Sequence, residues 1–158
     1  MNDNDNTKNN SEGQKEKPKD ENKDKDKEKF DWITQRYACS LPNVFKELQL
    51  QIEQDVKTRN SLRPNTAPYE FAIADHDDGF RVILKATNKE KDKELEMAVR
   101  FVLAEHAIVV RDDKGVEMFE ITLTFNDWGK CQLNVNGEPR DYWQIRRMAL
   151  EELMFRGN

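Results

Sequence analysis

The chain has 158 residues, of which 36% are hydrophobic and 36% are charged, and its formal net charge is -5. A soluble globular domain usually has about 45–50% apolar and about 25% charged residues, so this composition predicts that part of the chain does not fold. No stretch approaches the roughly 18 consecutive apolar residues of a membrane-spanning helix, and we therefore expect no membrane partner.

Residues 1–29 form a charged N-terminal arm. They hold eight lysines and nine acidic residues, and Met1 is their one hydrophobic residue. Because such a segment buries no apolar surface against the entropy cost of ordering, we predict a disordered, solubilising arm. A lysine-rich run can also be a nuclear signal or bind a polyanion, but the interleaved acids argue against both. Residues 30–158 are predicted to form one α+β domain.

The expected location follows from the N-terminus, which lacks the apolar core of a secretory signal and is too acidic for a transit peptide. These features indicate a cytoplasmic protein. The chain has two cysteines, Cys39 and Cys131. A small secreted domain stapled by disulfides would have more, and a core of this size needs none, so we expect two free thiols and regard a disulfide as the less favoured alternative.

Two amphipathic helices frame the predicted domain. The first covers about 41–61, with Ser40 as N-cap and apolar residues spaced three and four apart. Its apolar stripe consists of Leu41, Val44, Phe45, Leu48, Ile52 and Val56. The second helix begins after Asp141, where Gln144 completes a capping box, and ends before Gly157.

Between the helices, hydrophobic and polar residues alternate with the two-residue period of β-strands. Turn residues separate six predicted strands at 69–74, 80–86, 95–103, 107–111, 119–125 and 131–135. Short connections between successive strands indicate an antiparallel meander, and its apolar face needs a cover. We therefore predict a two-layer α+β domain of order α-β6-α, in which a six-stranded sheet is covered on one face by the N-terminal and C-terminal helices.

The segment 88–104 also fits a helical stripe, which would give the order α-ββ-α-βββ-α. We favour the strand because the alternation over residues 95–103 is strict. In outline, a small acidic domain with terminal helices flanking an antiparallel sheet resembles bacterial type III secretion chaperones. That resemblance implies a helix at 88–104, self-association, and binding of an extended segment of a partner protein. It concerns the order of elements and assigns no residues.

The patterns typical of enzymes and metal sites are absent from the sequence. The run Asp75–Gly79 lacks the glycine and glutamate positions of an EF-hand calcium loop. The histidines His76 and His106 do not pair with either cysteine at a zinc-binding spacing. No P-loop, dinucleotide-binding or serine-nucleophile motif occurs, and adjacent acids such as Asp112 and Asp113 are typical of solvated turns. We expect no cofactor, no metal and no enzymatic activity.

The candidate partner-binding residues are aromatic and arginine side chains, because these are enriched in interface hot spots. They are Trp32, Trp128, Trp143, Arg140, Arg146 and Arg147. Trp128 lies in a turn, where it either packs back on the domain or contacts a partner. Arg146 and Arg147 either lie on a solvated helix face, with Glu151 four residues after Arg147, or capture an acidic segment.

These observations favour a non-enzymatic protein-interaction or adaptor module that binds a protein partner or self-associates. The alternative is a carrier of a small apolar ligand, with a cavity between a curved sheet and the C-terminal helix. The net negative charge predicts that the protein does not bind nucleic acid, because phosphate contacts need a surplus of Lys and Arg.

Overall fold

The structure is a computed structural model that describes residues 29–88 and 93–156. The predicted arm therefore lies outside the described residues except for its last position. Of the two units into which the chain divides, Met1–Asp31 and Trp32–Asn158, the second carries every helix and strand that the structure describes. None of the helices in the described ranges has the length and apolar character needed to cross a membrane.

Residues 29–88 and 93–156 form three helices, one more than the sequence predicts. They are α1 (Trp32–Ala38), α2 (Leu41–Leu62) and α3 (Tyr142–Met154). The predicted caps are confirmed: Ser40 Oγ accepts a hydrogen bond from the Asn43 backbone N–H at 3.4 Å, and Gln144 Oε1 accepts one from the Asp141 backbone N–H at 2.8 Å. The seven residues of α1 span only two turns and none is buried, so no apolar period identifies this helix in the sequence.

The sheet is an antiparallel meander in which the strands pair in chain order. The strands are β1 (Tyr69–His76), β2 (Gly79–Asn88), β3 (Lys93–Leu103), β4 (Ile108–Arg111), β5 (Glu117–Phe125), β6 (Cys131–Val135) and β7 (Glu138–Arg140). The predicted six-stranded meander is thus confirmed with one additional strand. Asn136 and Gly137 both have positive φ, which folds the short β7 back onto β6.

The ambiguous segment is a strand wherever the structure describes it. β3 pairs with β2 from Asn88↔Lys93 to Gly79↔Val102. Its alternation places Val99 and Phe101 in the core and Arg100 at the surface. The alternative helix over 88–104 is therefore wrong for 93–103, and the inserted helix implied by the resemblance to secretion chaperones is not found there; residues 89–92 lie outside the described residues.

The helices cover one face of the sheet, as predicted. α2 buries Val44, Leu48, Ile52 and Val56, and α3 buries Ile145, Ala149, Leu150, Leu153 and Met154. At the centre of the layer the rings of Phe80 and Phe101 stack with their centroids 4.8 Å apart. Because successive strand residues alternate between faces, these helix-facing side chains form one continuous core.

The two cysteines form a disulfide, which corrects the expectation of free thiols. Cys39 follows α1 and Cys131 begins β6, and their Cα atoms lie 5.2 Å apart despite a sequence separation of 92. That distance falls within the range of native disulfides. Spacing alone could not show this pairing, because the seven-stranded meander is what brings the two positions together.

Both edges of the sheet are protected against pairing with another strand. At β1, the Asn60 side chain of α2 accepts a hydrogen bond from the Phe71 N–H at 2.9 Å and donates one to the Phe71 carbonyl at 2.8 Å. At the opposite edge, β7 has three residues and contains Pro139, which has no N–H to offer. Native sheets use such devices to prevent edge-to-edge association.

Candidate functional site

The candidate site is a groove between α2 and α3, with a volume of about 410 Å³. α2 contributes Asp55, Thr58, Arg59 and Leu62, and α3 with its following residue contributes Trp143, Arg146, Arg147, Leu150, Glu151, Met154 and Phe155. On each helix these positions recur three and four residues apart, so each set lies along one face. We call this surface the α2–α3 groove.

Large apolar side chains are exposed around the α2–α3 groove. The exposed fraction is 71% for Leu62, 54% for Trp143 and 48% for Phe155. They stand on the wall of one groove, and the deeper wall is formed by the buried Leu150 and Met154. Several exposed apolar side chains on one groove are typical of an interaction site, whereas a single exposed apolar residue is not.

Arg59 is the buried polar group of the groove, with only 9% of its surface exposed. Its Nε donates a hydrogen bond to the Met154 carbonyl at the end of α3 at 2.8 Å, and its Nη2 donates one to the Tyr69 hydroxyl at 3.4 Å. The guanidinium carbon lies 5.0 Å from the ring centroid of Phe155 and 5.2 Å from that of Phe71. Arg59 therefore joins α2, α3 and β1 at the bottom of the groove.

No carboxylate neutralises Arg59 within residues 29–88 and 93–156, where the ion pairs found involve other groups. The hydrogen bonds found for Arg59 in the same part of the chain use Nε and Nη2, and Nη1 is not among the fully buried atoms that lack a partner. Isolated buried charges are unfavourable, because the lost hydration is not replaced by an opposite charge. Of the three arginines that line the groove, Arg146 and Arg147 pair with acids, and Arg59 has no such partner among the described residues.

The acids on the rim of the groove are already engaged. Asp55 accepts a hydrogen bond from Arg146 Nε at 2.7 Å, and Arg146 also donates to Gln51. Glu151 pairs with Arg147 at 3.0 Å, as the four-residue spacing predicts. These pairs hold α2 against α3 and stabilise the surface of α3, and they leave neither rim acid available to Arg59.

The structure brings three of the six predicted residues, Trp143, Arg146 and Arg147, into the α2–α3 groove. Arg140 lines a neighbouring depression together with Trp143 and Arg147, and it pairs with Glu138 at 2.8 Å. All three predicted arginines thus have an acidic partner within the chain: Arg146 pairs with Asp55 on α2, and Arg147 pairs with Glu151 on its own helix.

The two other tryptophans lie elsewhere. Trp32 begins α1 and is 59% exposed, and Trp128, in the turn between β5 and β6, is 84% exposed. Trp128 therefore does not pack back onto the domain. Its turn is held by Asn126, whose side chain accepts hydrogen bonds from the Trp128 and Lys130 N–H groups at 2.9 and 3.1 Å. These bonds hold the backbone of the turn, and the Trp128 ring lies in solvent.

Arg59, Leu62 and Phe155 were not among the residues predicted from the sequence. One signal was available for Arg59: it continues the stripe of Ile52 and Val56 at the next helical position, so a charged residue falls on the buried face. Leu62 and Phe155 carry no such signal. They end α2 and follow α3, and only the packing of these two helices brings them together.

The described residues also form a second, more polar depression. A polar depression of about 690 Å³ is lined by Arg63, Glu70, Lys85 and Glu96, but it adjoins the strand ends that lead into residues 89–92. Among the described residues no cluster of His, Cys, Asp and Glu could hold a metal ion.

The pKa of Tyr142 is raised above its usual value of 10.0 by burial and by the nearby charge of Glu47.

Comparisons with known proteins add no relatives: a scan of protein-family models, a search of curated proteins and a search of solved structures each found no match.

Proposed function

We propose that this chain is a non-enzymatic protein-interaction module whose binding surface is the α2–α3 groove. One observation carries the proposal: the exposed side chains of Leu62, Trp143 and Phe155 all line the α2–α3 groove. Trp residues in partly formed pockets are frequent binding hot spots, and water around an exposed apolar patch is released when a partner covers it.

The form of the groove favours an amphipathic helical segment as partner. A groove between two packed helices that is partly lined by apolar side chains is the kind of surface that helix-in-groove recognition uses. Addition of a strand to the sheet is disfavoured, because Asn60 caps β1 and β7 is short and contains Pro139. A second copy of the chain is the competing occupant.

A carrier of a small apolar ligand remains the second candidate, but in a different place from the one expected. Between the sheet and the helices, the side chains of Phe80, Phe101, Ile108, Ile121 and Ile145 have no exposed surface, and such packing leaves little support for a ligand cavity there. The volume of the α2–α3 groove does fall within the roughly 300–1,000 Å³ of small-molecule sites. Binding of a small apolar acid is therefore compared with binding of peptides.

The cytoplasmic location is a proposal that the disulfide weakens. Disulfides such as Cys39–Cys131 persist mainly in oxidising compartments and are rare in the cytosol. Alkylation of free thiols in intact cells, followed by mass measurement of the protein, distinguishes the two settings. A chain that carries two alkyl groups supports the cytoplasm, and an unmodified chain supports an oxidising compartment.

The interaction proposal is tested by panning a displayed library of random 16-residue peptides against the full chain. The affinities of enriched peptides are then measured by fluorescence anisotropy for the wild type, for Leu62→Glu and for Leu50→Glu. Leu50 is the matched control, because it lies on the same helix, is 52% exposed and does not line the groove.

We expect Leu62→Glu to weaken binding by about tenfold or more and Leu50→Glu to leave it unchanged, since Leu62→Glu removes an apolar contact from the groove and puts a charged group in its place. If no peptide is enriched, or if both variants bind like the wild type, the groove is not the interaction surface. Sedimentation of the wild type is also measured over a range of concentrations. If the chain self-associates, a second copy becomes the favoured occupant of the groove.

A further inference from the structure

We infer that the segment bound in the α2–α3 groove carries an acidic side chain whose carboxylate pairs with Arg59. The inference rests on the proposed function and names the chemistry of the partner: an amphipathic helix with apolar residues toward Leu62, Trp143 and Phe155 and one Glu or Asp between them. It differs from the expectation for Arg140, Arg146 and Arg147, which already have acidic partners in the chain.

The first support is the state of Arg59 itself. It is nine-tenths buried, its charge has no carboxylate partner in the described ranges, and the hydrogen bonds found for it there use Nε and Nη2 but not Nη1. The Met154 carbonyl and the aromatic rings attract the cation, but a carbonyl and ring faces do not neutralise it. A carboxylate would form charge-assisted hydrogen bonds with the guanidinium.

The second support is position. Arg59 lines the same groove as the exposed apolar side chains, so one segment can contact both. When apolar residues cover the groove, they exclude water from around the guanidinium. Water loss makes an unmatched cation less favourable and makes pairing with a carboxylate more favourable. The groove therefore selects a segment that supplies apolar area and one negative charge together.

The third support is the charge of the walls. The groove is lined by three cations, Arg59, Arg146 and Arg147, and by two acids, Asp55 and Glu151. Each acid pairs with one of the outer arginines. The excess positive charge thus belongs to Arg59, at the bottom of the groove. A partner with one carboxylate facing the groove completes the charge balance without disturbing the rim.

The experiment uses the peptides enriched on the full wild-type chain. Their sequences are aligned, and the acidic residue they share is changed from Glu to Gln in each synthetic peptide. Binding of the Glu and Gln forms is measured for the wild type and for Arg59→Met, which together form a double-mutant cycle. Leu62→Glu shows whether a peptide occupies the groove, and decanoate, an apolar chain with one carboxylate, serves as the small-molecule probe.

The inference predicts that the Glu form binds the wild type about tenfold or more tightly than the Gln form, and that this preference disappears in Arg59→Met. Enriched peptides without a shared acid, or equal binding of the Glu and Gln forms, overturn it. If such peptides are still sensitive to Leu62→Glu, the proposed function stands and only the role of Arg59 falls.

Two further outcomes are informative. Arg59→Met removes contacts that join α2, α3 and β1 and could prevent folding, so the comparison of Glu and Gln peptides on the wild type decides the inference by itself. Decanoate that displaces every peptide and binds more tightly than any of them would overturn a protein segment as occupant. It would instead identify the groove as a site for a small apolar acid.

Discussion

Asn60 takes the place of a neighbouring strand at the edge of β1, because its amide pairs with both backbone groups of Phe71. We predict that Asn60→Ala lowers the free energy of unfolding by about 1–3 kcal/mol, the usual loss when buried backbone groups lose their partners. The same change reopens the edge of the sheet and should increase self-association. Urea unfolding followed by circular dichroism and light scattering measure the two effects.

The control for Asn60 is Gln54→Ala, since Gln54 is an exposed amide on the same helix and its one bond, to Thr58, is long at 3.4 Å. Exposed substitutions of this kind change stability by less than about 0.5 kcal/mol. Equal stability of the Asn60→Ala and Gln54→Ala variants would mean that the amide does not protect the edge.

Tyr142, the first residue of α3, has a raised pKa because burial disfavours its phenolate and the charge of Glu47 repels it. The Tyr142 phenol should therefore ionise at a higher pH than a free tyrosine side chain. A folded pKa above the unfolded value contributes stability below about pH 10, and this contribution is lost as the pH rises through the folded pKa.

The test for Tyr142 is absorbance at 295 nm during alkaline titration of the wild type and of Tyr142→Phe. The variant should lose a phenol whose pKa is raised above the usual 10.0, and its unfolding free energy should fall less steeply above about pH 10. A variant that instead loses an early-ionising phenol would show that the environment of Tyr142 is not apolar.

The disulfide links two distant elements of the fold. It closes a loop that contains α2 and the first five strands. We predict that Cys39→Ser combined with Cys131→Ser lowers the free energy of unfolding by about 2–4 kcal/mol, mainly because the unfolded chain gains entropy. Reductant should destabilise the wild type by a similar amount and leave the double variant unchanged.

A thiol titration of the native protein checks the premise of that prediction. The disulfide requires that no thiol reacts before reduction and that two react afterwards. Two reactive thiols in the native protein, or a double variant as stable as the oxidised wild type, would show that the bond does not support the fold.

Most elements could be predicted because their signals are local. The stripe of α2, the capping box of α3 and the alternation of β3 are read directly from neighbouring residues. The elements that were missed are short: α1 has seven residues and β7 has three. Neither is long enough to show a hydrophobic period, and both depend on their neighbours for their position.

At the scale of the domain, three exposed apolar side chains, Leu62, Trp143 and Phe155, line one groove, whereas others such as Trp32, Tyr37 and Trp128 lie elsewhere. The sequence could identify Trp143, Arg146 and Arg147, because one helix carries them. It could not identify the groove, since Leu62 at the end of α2 and Phe155 after α3 meet only after folding. Arg59 shows the same limit: its position in the stripe was readable, but its missing counter-ion depends on the packing of three elements.

The central proposal, that a partner binds in the α2–α3 groove, is tested most directly by an NMR map of amide chemical shifts. The isotope-labelled full chain is titrated with an enriched peptide. We predict that the largest changes in amide chemical shift occur at 58–63 and 143–155, with little change around Trp128. Shifts centred on α1 and the turn between β5 and β6 would contradict it and would place the interaction surface at Trp32 and Trp128.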